Sequence, residues 1–488
     1  MRTATRRALI LSLMLAASPA GAQTISEDGA KELAAAFATY VGQPAIDQKI
    51  VSVAPGTDAY TVTIDLPKIV AGMTPADGKV DVSVQPFAFE ATPKDDGTWT
   101  VTADSFPAFK LVQHKEGGEE TVEIAAENYH FEGTFDAKLA AFTSGEGKVD
   151  KVTFASHSPE GDAQGEQGAT TMTLQGASAA DGAVTAKIHQ VSAGFAETVT
   201  IKSGEAPVTV TIKTGEVALD MDIDSARQKS LLEILAFFAA NPGKDKAAAA
   251  QADLKARLLA ALPLWNGIGG TISFKDVAVE TPMGAFKAAA FTETLGLSGA
   301  SKDAYYDLGI KVDGLQLPEG LVPAWAKPAL PSALDVSMRL SGPDLEAVSR
   351  LAVDKLDVGG KEPWPKDVQD QLAGYFVNGP LKLTLKPGGV TAPSLTLALE
   401  GGATILPQPP EVSATVTADG LDKTMADLQT STDQDPNKQQ ALMMLGMAKA
   451  LAKPGDGGKA LWKIEMAKDG SVSVNGQQLQ PPTQQQQQ

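Results

Sequence analysis

Apolar residues recur at every second position along most of this chain, and that alternation limits the fold more than any other feature. Tyr60, Val62, Ile64 and Leu66 alternate with Thr61, Thr63 and Asp65. Val80, Val82 and Val84 alternate with Asp81 and Ser83, and Trp99 and Val101 alternate with threonines. Tyr129, Phe131 and Phe135 alternate with His130, Glu132 and Thr134. Successive side chains of an extended strand point to opposite faces, so the pattern predicts antiparallel strands with one dry and one wet face. Asp77-Gly78, Asp96-Gly97, Gly117-Gly118, Asp181-Gly182 and Ser203-Gly204 punctuate the runs as turn dipeptides. Their spacing reads as a meander of hairpins. Further strands are expected at Val184–Val191, Val208–Lys213 and Val217–Ile223. The stretch Ser158–Gly168 (SPEGDAQGEQG) reads by composition as a flexible surface loop.

The period changes to helical in Ser225–Gly270. Ser225 is the expected N-cap, because its hydroxyl can accept from a first-turn amide. Leu231, Leu232, Ile234, Leu235, Phe237 and Phe238 follow as a wide apolar stripe, stopped by Asn241-Pro242-Gly243. A second helix is predicted over Ala247–Ala261, and Gly267–Gly270 reads as a turn into a strand. The apolar run Leu231–Ala240 is about half the roughly 20 residues a membrane span needs. Few cations flank it, unlike a membrane-surface helix. Ser26–Val41 reads as a shorter helix capped by Ser26, with Leu33, Phe37 and Val41 on one face.

Beyond the hairpin, alternation returns at Tyr306–Val312, Leu381–Leu385, Leu395–Leu399 and Val412–Val416. Leu317–Pro331 is a proline-rich connection. Helices are predicted over Pro343–Leu351, Pro365–Phe376, Thr424–Leu428 and Lys438–Leu451. Met443, Met444 and Met447 in the last of these read as adaptable core filling rather than a metal box. A hairpin over Leu461–Val474 turns at Asp469-Gly470. Leu264-Trp265 and Leu461-Trp462 each follow a helix, and Asp58-Ala59-Tyr60 and Asp303-Ala304-Tyr305 each open a strand. The order strands, helix, Leu-Trp, strands therefore reads as a possible duplication.

The expected fold is α+β and β-dominated, with long antiparallel meander sheets, a central helical hairpin and a C-terminal helical segment. The expected organisation is a signal at 1–22, a strand-rich region at 23–224 and the helical hairpin at 225–265. A second strand-rich region follows at 266–420, a helix with closing hairpin at 421–479, and a disordered glutamine-rich tail at 480–488.

Met1–Ala22 reads as a cleavable secretory signal, with Arg2, Arg6 and Arg7 before an apolar core and Ala20-Gly21-Ala22 at the cleavage site. No other segment of the sequence is apolar enough to span a membrane as a helix. The chain has 41 basic and 59 acidic side chains, a formal −18, which argues against nucleic acid or anionic lipid surfaces as partners. It contains 0 cysteines, so no disulfide supports the fold. The leader and the alanine-rich composition make the periplasm of a Gram-negative bacterium the expected location.

No constellation for chemistry emerges. Cysteine nucleophiles are impossible, and neither Gly-x-Ser-x-Gly nor His-Glu-x-x-His occurs. The histidines are His114, His130, His157 and His189, all read as solvated surface groups. Glu127 and His130 would fall on opposite faces of a strand. Asp220, Asp222 and Asp224 share one strand face and could serve a hard cation, but read better as a solvated face, with Asp224 or Ser225 capping the helix behind. Thr432–Asn437 lacks the glycine and terminal glutamate of a calcium loop. We assign no catalytic residue, no cofactor and no metal site; paired carboxylates stay open, because any two of the 59 acids could meet in space.

The closing stretch Leu461–Leu479 (LWKIEMAKDGSVSVNGQQL) resembles the end of YdgA-like proteobacterial envelope proteins, with its strand, Gly turn and Asn475-Gly476. The central helices followed by GTISFKDVAVETPMGAF resemble the same group and a related alphaproteobacterial exported family of unknown function. Both are similar to AsmA-like envelope proteins, which implies a long curved sheet offering an apolar groove for lipid. The resemblance covers Ser225–Phe291 and about the last 30 residues, and brings no catalytic residue. The YdgA-like group keeps an uncleaved anchor, whereas this chain carries a cleavable-looking signal. The expected function is a non-enzymatic soluble periplasmic protein, an envelope scaffold or a carrier of an apolar ligand such as lipid. The expected partners are lipid or another envelope protein. The alternatives are an exported hydrolase using paired carboxylates and a structural or adhesive surface protein. An open apolar sheet face favours the carrier; covering of every apolar face removes it.

Overall fold

The computed structural model describes residues 24–481 apart from 74–79, 116, 203, 205, 343 and 407. The expected signal at 1–22, the turn at Asp77-Gly78 and residues 482–488 of the tail lie outside the described residues. The architecture is α+β and β-dominated, with long antiparallel ladders and several helices. It divides into two compact units, Met1–Gly270 with Ser349–Pro365, and Thr271–Val348 with Lys366–Gln488.

In the first unit one ladder runs, in spatial order, through Val51–Pro55, Tyr60–Ile64, Phe87–Pro93, Thr98–Ala103, His130–Asp136, Ala141–Val149, Thr170–Ser178, Val184–Ser192 and Glu216–Ala226. A second runs through Val80–Val84, Phe109–Lys115, Gly118–Glu127, Lys151–Ser158, Gly161–Gln167, Phe195–Ile201 and Val208–Thr214. From Glu127 onward the chain passes between the ladders with one or two linking residues at a time: Asn128-Tyr129, Asp150, Gly168-Ala169, Ala193-Gly194 and Gly215. Each passage changes which parity carries the apolar side chains. Val122 and Ile124 precede Asn128, whereas Phe131 and Phe135 follow it. One extra residue reverses a strand's faces unless the backbone absorbs it. Asn128 (φ 52) and Gly194 (φ 90) take left-handed conformations at two of these passages.

The core of this unit lies on the first ladder. Tyr60, Val62, Ile64, Phe89, Ala91, Trp99, Val101, Phe131 and Phe135 are buried beneath the helix Glu27–Val41, which contributes Ala30, Leu33 and Phe37. The Ser26 hydroxyl caps that helix by accepting from the Gly29 amide at 3.0 Å, as the sequence predicts. A smaller cluster joins Phe237, Ala247 and Leu254 of the central helices to Leu356 and Val358. It is tied by the Val358 amide donating to Gln251 at 2.9 Å and by the Lys255 ammonium donating to the Asp354 carbonyl at 2.7 Å.

Several local expectations are corrected. Ser225 does not cap a helix. It lies within the strand Glu216–Ala226 at φ 54, and its hydroxyl donates to the Asp224 carboxylate at 2.7 Å. The helix Gln228–Ala240 starts after Arg227 with no side-chain cap, so Asp224 does not cap it either. The second helix is two pieces, Lys244–Ala249 and Gln251–Ala261. Gly267–Gly270 opens the strand Gly267–Thr281 rather than forming a turn. Ser158–Gly168 is not a loop: it turns at Pro159-Glu160 and forms the strand Gly161–Gln167, paired on both sides. Its small residues are what permit this, because a Cβ at Gly165 would fall 2.3 Å from the Phe154 ring and one at Gly161 would fall 2.4 Å from the Thr200 carbonyl.

In the second unit a ladder runs through Gly284–Ser298, Tyr305–Asp313, Ala333–Ser341, Leu381–Thr391, Thr396–Leu406, Glu411–Asp419, Ala460–Met466, Val472–Val474 and Gln477–Gln480. The closing hairpin forms as expected, pairing Ile464 with Val474. Helices occupy Lys366–Asn378, Leu421–Thr430 and Pro436–Leu451. The duplicated phrases are not equivalent in place. Trp462 lies within a strand and its indole donates to the Ala448 carbonyl at 2.8 Å, whereas Trp265 precedes one. Tyr60 is buried in a core, whereas Tyr305 lies under the guanidinium of Arg339.

Candidate functional site

Each histidine sits beside an aspartate. His114 Nε2 lies 2.9 Å from Asp81, His130 Nδ1 lies 2.6 Å from Asp104, and His189 Nδ1 lies 2.6 Å from Asp220; His157 contacts Asp162. Three of these aspartates are brought close by ladder pairing, and the fourth, Asp104, lies between strands. The exposure expected of these histidines holds, but solitary they are not. The Asp81 carboxylate, hydrogen-bonded to His114, and the nearby Glu119 raise that imidazole above its ordinary value. The partner aspartates escaped the sequence reading because register is set by pairing between distant segments.

The carboxylates Asp220, Asp222 and Asp224 are also placed. Thr173, His189 and Asp220 form one cross-strand row, and Gln175, Lys187 and Asp222 the next. Together they line a shallow depression of about 280 Å³. Lys187 lies 3.8 Å from Asp222, so Asp220 and Asp222 face basic groups rather than a shared cation. Asp224 is held by Ser225. Glu127 and His130 belong to different ladders. Thr432–Asn437 leads into a helix, where the Asp435 carboxylate accepts from the Asn437 amide at 2.9 Å. Among the described residues no group of three or more His, Asp or Glu converges as a metal site. Among the described residues, neighbouring donors and cations lower the carboxyl pKa of Asp28, Asp65, Asp96, Asp162, Asp307, Asp435 and Asp469.

The larger feature is apolar. In the second unit, cross-strand register lines up Leu295, Leu308, Met338, Leu385, Gly401, Ala414 and Ile464 in one row. The next row is Leu297, Tyr306, Leu340, Leu383, Ala403, Val412 and Met466. Neither contains a charged side chain, and the six steps between seven strands span roughly 29 Å. None of these residues is buried; Tyr306 is 45% exposed, and Ile310 on the same face is 36% exposed. In the first unit's second ladder, Val122, Ile201 and Val208 are likewise exposed on its apolar face. Apolar faces of this breadth mark interaction sites.

The opposite face of the second unit's ladder is polar and pinned. Arg339 donates through Nε and Nη2 to Asp307, both at 2.7 Å, and Lys386 lies 3.3 Å from the same carboxylate. These cations, Arg339 foremost, hold the Asp307 carboxyl below its ordinary value. The guanidinium also lies 4.2 Å from the Tyr305 ring centre. These ionic ties lie on the face opposite the two apolar rows, which Glu293 borders in the neighbouring row with Ile310. No protein-family model, no curated protein and no solved structure matches this chain.

Proposed function

We propose that the chain is a non-enzymatic carrier of an apolar ligand, of lipid class, held against the one-sided sheet of its second unit. The observation that carries this reading is the charge-free, half-exposed pair of rows through Leu308 and Tyr306. Export to the periplasm, and kinship with YdgA-like and AsmA-like envelope proteins, belong to the same proposal. Their support is the leader-like Met1–Ala22 and the stretches Ser225–Phe291 and Leu461–Leu479.

Magnitudes narrow the ligand. A 16-carbon chain gains about 13 kcal/mol on leaving water, at about 0.8 kcal/mol per methylene. A flat sheet covers one side of it, which leaves about 6 kcal/mol. Association costs at least about 4 kcal/mol. One chain therefore binds weakly, and two or more chains in one molecule bind firmly. The net negative charge disfavours a strongly anionic membrane surface as donor.

The test is natively purified protein, extracted with organic solvent and examined by mass spectrometry. Multi-chain lipid at near one molecule per protein supports the reading. Protein that carries no lipid, and that takes none from mixed phospholipid vesicles, removes it. Release of the protein from spheroplasts checks the compartment separately.

A further inference from the structure

The helix Pro436–Leu451 presents methionine to solvent where a surface helix ordinarily presents charge. Met443, Met444 and Met447 are 60%, 57% and 55% exposed. They are not core filling, so the expectation that they pack inside is overturned. The helix meets the sheet from its other side, where the Ala448 carbonyl accepts from the Trp462 indole. At about 100° per residue, Met447 falls roughly 40° from Met443 and roughly 60° from Met444, between the two. All three side chains rise from one arc about 100° wide.

We propose that Met443, Met444 and Met447 form a thioether site for a soft monovalent cation, Cu(I) or Ag(I). Thioether sulfur is a soft donor that selects such ions over hard ones. Each methionine has three rotatable bonds, and Met447 lies four residues from Met443 and three from Met444, so its sulfur can approach both without moving the backbone. The competing positive charges of the helix are already engaged elsewhere. Lys449 pairs with Asp422, and Lys438 is buried and donates to the Ser431 carbonyl at 2.8 Å. The chain has no cysteine, and its four histidines all precede residue 190, so no thiolate or imidazole from Thr271–Gln488 competes for the ion. The helix docks through Trp462 on the strand face that also carries Ile464 and Met466, but its three methionines are exposed and the Cu(I) readout does not require bound lipid.

The test uses the full chain with Cu(I) held under reductant by a chromogenic chelator of known affinity. Met443→Leu/Met444→Leu/Met447→Leu keeps helix propensity, volume and apolarity and removes only sulfur. Met283→Leu, at the other strongly exposed methionine, is the control. Wild type and Met283→Leu should each withdraw one equivalent of Cu(I) that the triple variant leaves with the chelator. Ag(I) should shift three methionine methyl resonances in wild type, and those three should be absent from the triple variant. Equal withdrawal by wild type and triple variant overturns the proposal, and assigns the exposed methionines to apolar contact alone. Circular dichroism of the triple variant checks that its helix is intact, so a loss of binding is not a loss of fold.

Discussion

Gly133 and Gly145 face each other across two strands of the first unit, an arrangement that should weaken a sheet. The Phe131 ring lies over both and restores the missing apolar cover. A Cβ at Gly133 would meet Phe131 Cζ, Phe142 Cδ1 and the Ser144 carbonyl, each at 2.9 Å. The rings can tilt, but the carbonyl belongs to the ladder. Gly133→Ala should therefore destabilise by about 1–3 kcal/mol in urea denaturation; wild-type stability would show that the rings and strand relax freely. A second residue-scale expectation concerns Asp307. Its folded pKa is depressed, so its stabilisation is present above the unfolded value and is lost as pH falls through the folded one. Asp307→Asn should cost about 1–2 kcal/mol at pH 7, since Arg339 is partly exposed. The gap between variant and wild type should close below both pKa values, and a constant gap from pH 7 to pH 2 would refute the assignment. Alternation in the sequence already put Phe131 and Phe135 on a dry face. It could not show Gly145 opposite Gly133 or Asp307 opposite Arg339, because those pairings depend on register between segments far apart in the chain.

Elements were legible where local chemistry and tertiary packing agree. Ser26 is both a good cap and the cap used, and Leu33 and Phe37 behind it are both periodic and buried. Ser26→Ala should cost about 1 kcal/mol, read from the denaturation midpoint, because the Gly29 amide loses its acceptor. A loss under a few tenths would mean that core contacts alone hold the helix start. Elements were misread where tertiary context overrides composition. Gly161–Gln167 has the polar, glycine-rich content of a loop, yet glycine is what its neighbours demand at Gly161 and Gly165. Ser225 is a fine cap in isolation, but the strand Glu216–Ala226 runs through it. The methionines of Pro436–Leu451 depart from expectation for the opposite reason: apolar character does not imply burial, and the helix turns that face outward.

At the scale of the molecule, the two units use the same alternation differently. In the strands Val51–Pro55 to His130–Asp136 of the first unit's first ladder the dry face lies under a helix, and Phe89, Trp99 and Val101 have almost no exposure. In the second unit's ladder two adjacent rows are free of charge, yet their residues stay partly exposed. Period two reports that a face is apolar, not whether anything lies on it, so the sequence could not distinguish these cases. The distinction predicts different responses to the same kind of substitution. Phe89→Asn places an amide among buried side chains and should cost about 3–5 kcal/mol, approaching loss of the fold. Met338→Gln with Leu385→Asn alters two paired residues of one half-exposed row. That double variant should cost less than about 2 kcal/mol, because its amides keep access to water. It should nevertheless carry much less co-purifying lipid than wild type, as two polar groups now interrupt the charge-free strip. Cooperative urea unfolding and lipid content, measured on the same samples, separate the outcomes. If the double variant unfolds as readily as Phe89→Asn, the face serves as the second unit's own core. If it folds and keeps its full lipid load, the ligand rests elsewhere.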